Sequence, residues 1–100
     1  MTLEITSRHF SPSSALRELV VTKASKIEKF SNDITSCHIV LIKENDIESV
    51  EIKAHMKGHE MFAHESANMF EKSLASSVEK IVSQIKKNRD KDLGKVKTHL

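Results

Sequence analysis

Tryptophan and tyrosine are missing altogether, and the 100 residues include only two glycines, one proline and one cysteine. Each shortage removes a class of explanation. Two glycines are too few for a phosphate-cradling loop, which needs several at fixed spacing to let the backbone approach a ligand. The lone Cys37 allows no internal disulfide, and no Cys/His group has the spacing of a zinc site, so a reducing compartment is expected and no cofactor or metal. With Trp and Tyr absent, and Phe10, Phe30, Phe62 and Phe70 mostly falling where a core is expected, a stacking platform for single-stranded bases is poorly supported. No stretch approaches the roughly 18 apolar residues of a membrane span. Met1 to Phe10 alternates polar and apolar residues instead of opening with charge and an apolar run, as a secretory leader does. A cytoplasmic protein with no membrane partner is expected.

What is present describes one ordered domain. The chain is 38% apolar and 30% charged, a composition that supports one packed core but leaves no room for a second of similar size. Net charge is only +2, yet it is unevenly spread. From Glu44 to Glu71 seven acids face Lys53 and Lys57, a local balance of −5; from Lys80 onward seven lysines and arginines face Asp90 and Asp92, giving +5. That split suggests one surface suited to a polyanion and another kept away from it.

The apolar pattern predicts the element order β-α-β-β-β-α. Residues 2–7 alternate, with Leu3 and Ile5 on one face, as a half-buried strand does. Ser11-Pro12-Ser13-Ser14 offers an N-cap and a proline where a first helix can begin. Leu16, Leu19, Val20, Ile27 and Phe30 then share one helical face, and Ser31-Asn32-Asp33 ends it. The run Ile39-Val40-Leu41-Ile42 reads as a largely buried strand within 34–43. After a polar turn over 44–49, Val50, Ile52, Ala54 and Met56 alternate with Glu51, Lys53, His55 and Lys57. Gly58-His59 marks a hairpin turn, and residues 60–66 return as a fourth strand. Phe70, Leu74, Val78, Ile81 and Ile85 mark a second helix, expected to reach about Lys91 and to stop at Gly94. Two helical stripes and one alternating sheet face predict an α+β two-layer sandwich, both helices on one side of a four-stranded sheet. A domain over 1–93 and a short basic, mobile tail over 94–100 follow.

The lysines are the candidate functional residues. Lys80, Gln84, Lys87 and Lys91 are spaced i, i+4, i+7, i+11, which draws one line along the second helix, with Lys86 and Arg89 flanking it. Lysines near a helix C-terminus also simply complement the macrodipole, so the ridge alone divides evenly between the two readings. The first helix tips the balance. Lys26 and Lys29 form a second patch, and Lys23 projects close to the middle of an apolar stripe, where its stem must lie over apolar surface to keep its ammonium wet. Lysine ridges without interleaved aromatics suit a structured RNA held through its backbone better than base-specific reading.

The six histidines carry less. His55 and His59 flank a hairpin, His64 follows on the next strand, and none shows the spacing of a zinc motif, so solvated strand histidines are expected. Cys37 and His38 are neighbours on a strand and point to opposite faces, which favours a structural thiol over a nucleophile and its base. No enzyme and no small-molecule substrate is expected.

The run Ser14-Ala15-Leu16-Arg17-Glu18-Leu19-Val20, followed by Lys23, Lys26, Ile27 and Glu28, resembles the first helix of the hibernation-promoting factor and protein Y family. The likeness continues through Ile39-Val40-Leu41 and through Val78-Glu79-Lys80-Ile81 to Lys87, Arg89, Asp90 and Lys91. The resemblance implies a fold similar to double-stranded-RNA-binding domains, seated in the tRNA and mRNA channel of the small ribosomal subunit, where it inhibits translation. It implies RNA contacts by Lys23, Lys26, Lys80, Lys87, Arg89 and Lys91, with Lys29 and Lys86 as further candidates. Family members often open the second helix with an Asp-Met-Tyr-Ala-Ala-Ile-Asp run; this chain has Asn68-Met69-Phe70-Glu71-Lys72-Ser73-Leu74. Its length is similar to short members, which favour inactive ribosome dimers with help from a separate dimerisation modulator.

Overall fold

The computed structural model describes the backbone of residues 1–98 and the side chains of residues 1–90. The elements are β1 (Thr2–Arg8), α1 (Ser14–Phe30), β2 (Ile34–Glu44), β3 (Ile47–Met56), β4 (His59–Ala67) and α2 (Phe70–Thr98). The strands form one sheet in the order β1-β2-β3-β4. β1 runs parallel to β2, because α1 returns the chain to the same end of the sheet, whereas the β2–β3 and β3–β4 pairs are antiparallel hairpins.

Register decides which residues meet the helices. Ile5, Ile39, Ile52 and Ala63 lie side by side across the four strands, as do Leu3, Cys37, Ala54 and Met61. These rows form the covered face of the sheet, and they pack with Val20, Ala24 and Ile27 of α1 and Phe70, Leu74, Val78, Ile81 and Ile85 of α2 in one apolar core. Both helices therefore sit on one face, and the α+β sandwich expected from periodicity is the fold.

Local chemistry sets the ends of the elements. Ser13 is the N-cap of α1, its hydroxyl accepting from the Leu16 N–H at 3.1 Å, so Pro12 precedes the cap instead of entering the first turn. At the other end the Ser31 N–H donates to the Ile27 carbonyl, and the Ser31 hydroxyl accepts from the Asp33 N–H. The start of α2 is held from the sheet: Glu48 of β3 accepts the Phe70 N–H at 2.7 Å, a carboxylate at the positive end of a helix.

Three expectations need correction. The polar stretch after β2 is a tight turn at Asn45–Asp46, not a loop over 44–49. Asn45 adopts φ 54°, a left-handed conformation asparagine tolerates, and Ile47, Glu48 and Ser49 already pair with β2. Phe62 is not in the core; it is 52% exposed, because its neighbours Met61 and Ala63 take the covered side of β4. Finally, α2 does not stop at Gly94 but continues to Thr98. One interior glycine costs a helix only about 1 kcal/mol relative to alanine, too little to end it. Of the tail expected over 94–100, residues 99 and 100 lie outside the described residues, as do the side chains of 91–98.

Candidate functional site

Side by side on the sheet, α1 and α2 leave a groove of about 490 Å³ between them. Ala75, Val78 and Val82 of α2 supply apolar lining, Glu79 and Ser83 lie along the same helix, and Lys23 and Lys26 face them from α1. The groove explains a lysine in an apolar stripe. Lys23 is half-buried, its stem against apolar lining and its charge free to reach water. The neighbouring Lys23 side chain, through its polar contact and then through the repulsion of like charge, together with a slight loss of hydration, holds the Lys26 pKa below its ordinary 10.5. Two like charges held together on one rigid helix are a position that a bound anion relieves.

A second pair of cations gathers where α1 ends. The Lys86 Nζ lies 5.6 Å from the centre of the Phe30 ring and the Arg89 guanidinium carbon 5.3 Å from it. Arg89 also donates to the Phe30 carbonyl at 3.2 Å. Phe30 is one turn beyond Lys26, and Lys86 one turn beyond Val82, so helical spacing continues the groove's row of charge into this pair.

The opposite flank of α2 looks onto the edge strand β4. Lys80 Nζ is 2.7 Å from the Glu65 carboxylate. Gln84 donates its amide N–H to the Phe62 carbonyl at 2.7 Å and accepts the Phe62 N–H at 3.0 Å. The line Lys80, Gln84, Lys87 thus exists, but its first two members are engaged with β4. Lys87 continues the line and is exposed. Lys29, in the last turn of α1, is exposed and does not line the groove. The Lys91 side chain lies outside the described residues.

Glu79 lines the groove and Glu65 meets Lys80, while other acids lie on the sheet. Glu4, Glu51 and Glu60 fall on the open sheet face, in rows with His38, Val40 and His55. Lys53 is 3.5 Å from Glu60 there, and His38 Nε2 is 2.8 Å from the Thr6 hydroxyl. Among the described residues no group of three or more His, Cys, Asp or Glu is arranged to hold a metal ion. Cys37 is on the covered face, and burial pushes its thiol up to about 11, which suits a packing residue and not a nucleophile.

The sequence and the fold have counterparts in known proteins. The family model described as Sigma 54 modulation protein / S30EA ribosomal protein matches residues 3–92. This chain belongs to that family. Among curated S30EA relatives, the ribosome hibernation promoting factor of Klebsiella oxytoca is 29% identical over 91 residues, covering 91% of this chain and 96% of the relative. The protein of the same description from Escherichia coli K12 is 28% identical with the same coverage. A ribosomal subunit interface protein from Coxiella burnetii superposes with a TM-score of 0.84 at 22% identity, over 90% of this chain and 99% of that one. The Protein Y N-terminal domain of Thermus thermophilus does so with a TM-score of 0.78 at 18% identity, over 87% and 98%. The two solved structures share the fold.

Within this S30EA fold, three residues acquire parts that the sequence did not suggest. Phe30 was placed in the α1 apolar stripe, yet its ring faces Lys86 and Arg89. Gln84 was counted with a basic ridge, yet it bonds the backbone of β4. Glu65 was one acid among seven, yet it is the one that neutralises Lys80. Each part depends on a contact between residues 15 to 59 positions apart, a distance over which helical or strand periodicity says nothing. The only local signal was the interruption of a lysine row by an amide.

Proposed function

We propose that this protein is a ribosome hibernation factor, and that it binds RNA of the small ribosomal subunit through its helical layer and thereby inhibits translation. The Lys23–Lys26 pair carries the reading: both lysines line the α1–α2 groove from α1, and the charge of Lys23 works against the protonated form of Lys26. Lys86 and Arg89 extend that row, Lys87 adds charge on the other flank of α2, and Lys80 contributes less because Glu65 shares its charge. Lys29 and Lys91 complete the set on the outer surface and along α2. Cations on helices, with the Phe30 ring taken up by Lys86 and Arg89, suit phosphates at the spacing of a folded RNA backbone. The cations lining the groove and gathered at the end of α1 make the helical face the side that approaches RNA. Curated relatives named ribosome hibernation promoting factors support the same direction, and so does a fold shared with a ribosomal subunit interface protein. The tRNA and mRNA channel of the small subunit, in the cytoplasm, is the expected seat. Silencing of single ribosomes and formation of inactive ribosome dimers with a separate modulator are the two outcomes open to such binding.

Co-sedimentation with ribosomes through a sucrose gradient tests this, wild type beside a variant with Lys23, Lys26, Lys86 and Arg89 all changed to Gln. Wild type is expected to travel with small subunits and the variant to stay at the top while keeping its fold. A wild type that fails to sediment, or that is displaced equally well by generic duplex RNA, overturns the ribosomal assignment. A dimer peak that appears with the modulator added distinguishes dimer formation from silencing of single ribosomes.

A further inference from the structure

We infer that Phe30 is a positioning residue: its ring holds Lys86 and Arg89 at the end of the α1–α2 groove, so that they present charge in register with Lys23 and Lys26. The inference rests on the RNA-binding reading above and adds to it a residue that carries no charge of its own. Three contacts converge on this one residue. The Lys86 ammonium and the Arg89 guanidinium both lie within 6 Å of the ring centre, the range in which a cation is attracted to an aromatic face. Arg89 is fixed a second time by its hydrogen bond to the Phe30 carbonyl. Long basic side chains on a helix surface otherwise sample many rotamers, and a phosphate that binds them must order them first. A ring that restrains two of them beforehand removes part of that cost.

Position matters as much as contact. Phe30 closes α1, immediately before the Ser31 cap whose N–H returns to Ile27, so the ring is set by a capped helix end. It is half-buried and packs against the core, which leaves part of it available to the cations. An aliphatic residue of similar size fills the core side of this position equally well and offers the cations nothing. The choice of an aromatic is therefore read in the cations, and the test separates the two parts.

Two measurements are made on Phe30→Leu and Phe30→Tyr beside wild type. In the free protein, proton NMR is expected to show side-chain methylene signals of Lys86 and Arg89 shifted upfield by the ring in wild type and Phe30→Tyr, and at ordinary positions in Phe30→Leu. Unshifted signals in wild type overturn the inference directly, whether or not any variant folds. For small-subunit binding, the Lys86→Gln/Arg89→Gln variant is expected to lower the slope of log K against log salt by about 1.4 to 1.8, at 0.7 to 0.9 per phosphate contact. Phe30→Leu keeps both cations, so it should leave the slope near wild type and lower the affinity at fixed salt by part of what the Lys86→Gln/Arg89→Gln variant loses, and Phe30→Tyr should restore it. Added to the Lys86→Gln/Arg89→Gln background, Phe30→Leu should lower the affinity no further. A wild-type affinity in folded Phe30→Leu, or a further fall in the double-variant background, shows a merely structural ring and refutes the proposal. A wild type that does not bind subunits defeats the ribosomal reading instead, and the NMR shifts then decide the placement of the two cations alone.

Discussion

Exchanging Lys23 and Lys26 for glutamine removes the charge pair on which the functional reading turns, and its consequence is calculable. Each lysine that neutralises a phosphate releases condensed counterions, so log K falls by about 0.7 to 0.9 per contact for each tenfold rise in salt. Two contacts account for about 1.4 to 1.8 of the slope. Between 50 and 200 mM salt, about 0.6 of a log unit, wild type should therefore lose about ten times more affinity for small subunits than the double variant does. The variant should keep its fold, since Lys26 is exposed and a glutamine at the half-buried position 23 keeps part of the stem that lies over the groove; with the repulsion at Lys26 relieved, thermal stability should stay close to wild type. The assay is equilibrium binding of labelled protein to purified small subunits at four salt concentrations, with Lys57→Gln, at the β3–β4 turn, as the control for net charge. Parallel lines for wild type and double variant would remove Lys23 and Lys26 from the interface. An equal change in the Lys57→Gln control would show that overall charge, and not the groove, sets the slope.

Three further outcomes test the fold beneath the site. Ile81→Ala, at a fully buried position on α2, should cost about 2 to 5 kcal/mol, read as a lower urea midpoint with an unchanged m-value; a cost under 1 kcal/mol would mean the helical layer is loosely packed. Gln84→Ala removes both side-chain bonds to Phe62 and should lower stability by about 1 kcal/mol while speeding hydrogen exchange at the Phe62 amide. Unchanged exchange there would show that water replaces the glutamine at no loss. Burial raises the Cys37 thiol from 9.0 to about 11, so above pH 9 the unfolded chain ionises while the native one keeps its proton, and stability falls as pH rises. At pH 10 the loss amounts to about 1.4 kcal/mol, measured as the difference in pH dependence between wild type and Cys37→Ala, which cancels the titrating lysines.

Much of the architecture was legible because it depends on local periodicity. The α2 stripe from Phe70 to Ile85 is buried at every predicted position, since a helix that must cover a sheet has one way to repeat its apolar residues. The covered face of β3 was equally plain, as Val50, Ile52, Ala54 and Met56 alternate with charge. Phe62 was misplaced because hydrophobicity was weighed above alternation: Met61 and Ala63 had already claimed the inward positions. Gly94 was misread as a stop because helix-ending glycines are common, although its cost alone is small. The candidate site was legible as charge on two helices but not as an arrangement. Nothing in the lysine spacing reveals that α2 presents Lys86 and Arg89 to α1 while turning Lys80 toward Glu65. Those assignments rest on contacts between elements far apart in the chain, Arg89 to Phe30 and Lys80 to Glu65.

The lysine pair also links binding to protons, with a sign that can be worked out. In the free protein Lys23 lowers the Lys26 pKa, so as pH rises toward 10.5 Lys26 loses its proton earlier than an isolated lysine would. A phosphate set between the two ammoniums favours the charged form and raises that pKa again. Binding must then take up protons in the interval between the two values, and by linkage the affinity for RNA falls as pH rises through it. Glu79, across the groove, acts in the same direction in both states and does not change the sign. In Lys23→Gln the repulsion is gone, so the Lys26 pKa should rise toward its ordinary value and the fall in affinity should move to higher pH. Titrating the Lys26 side-chain signals by NMR in wild type and Lys23→Gln, free and saturated with small-subunit RNA, measures both shifts. A Lys26 that titrates identically with and without Lys23 would mean that the two ammoniums do not sense each other, and a single crowded anion site in the groove would have to give way to two independent contacts.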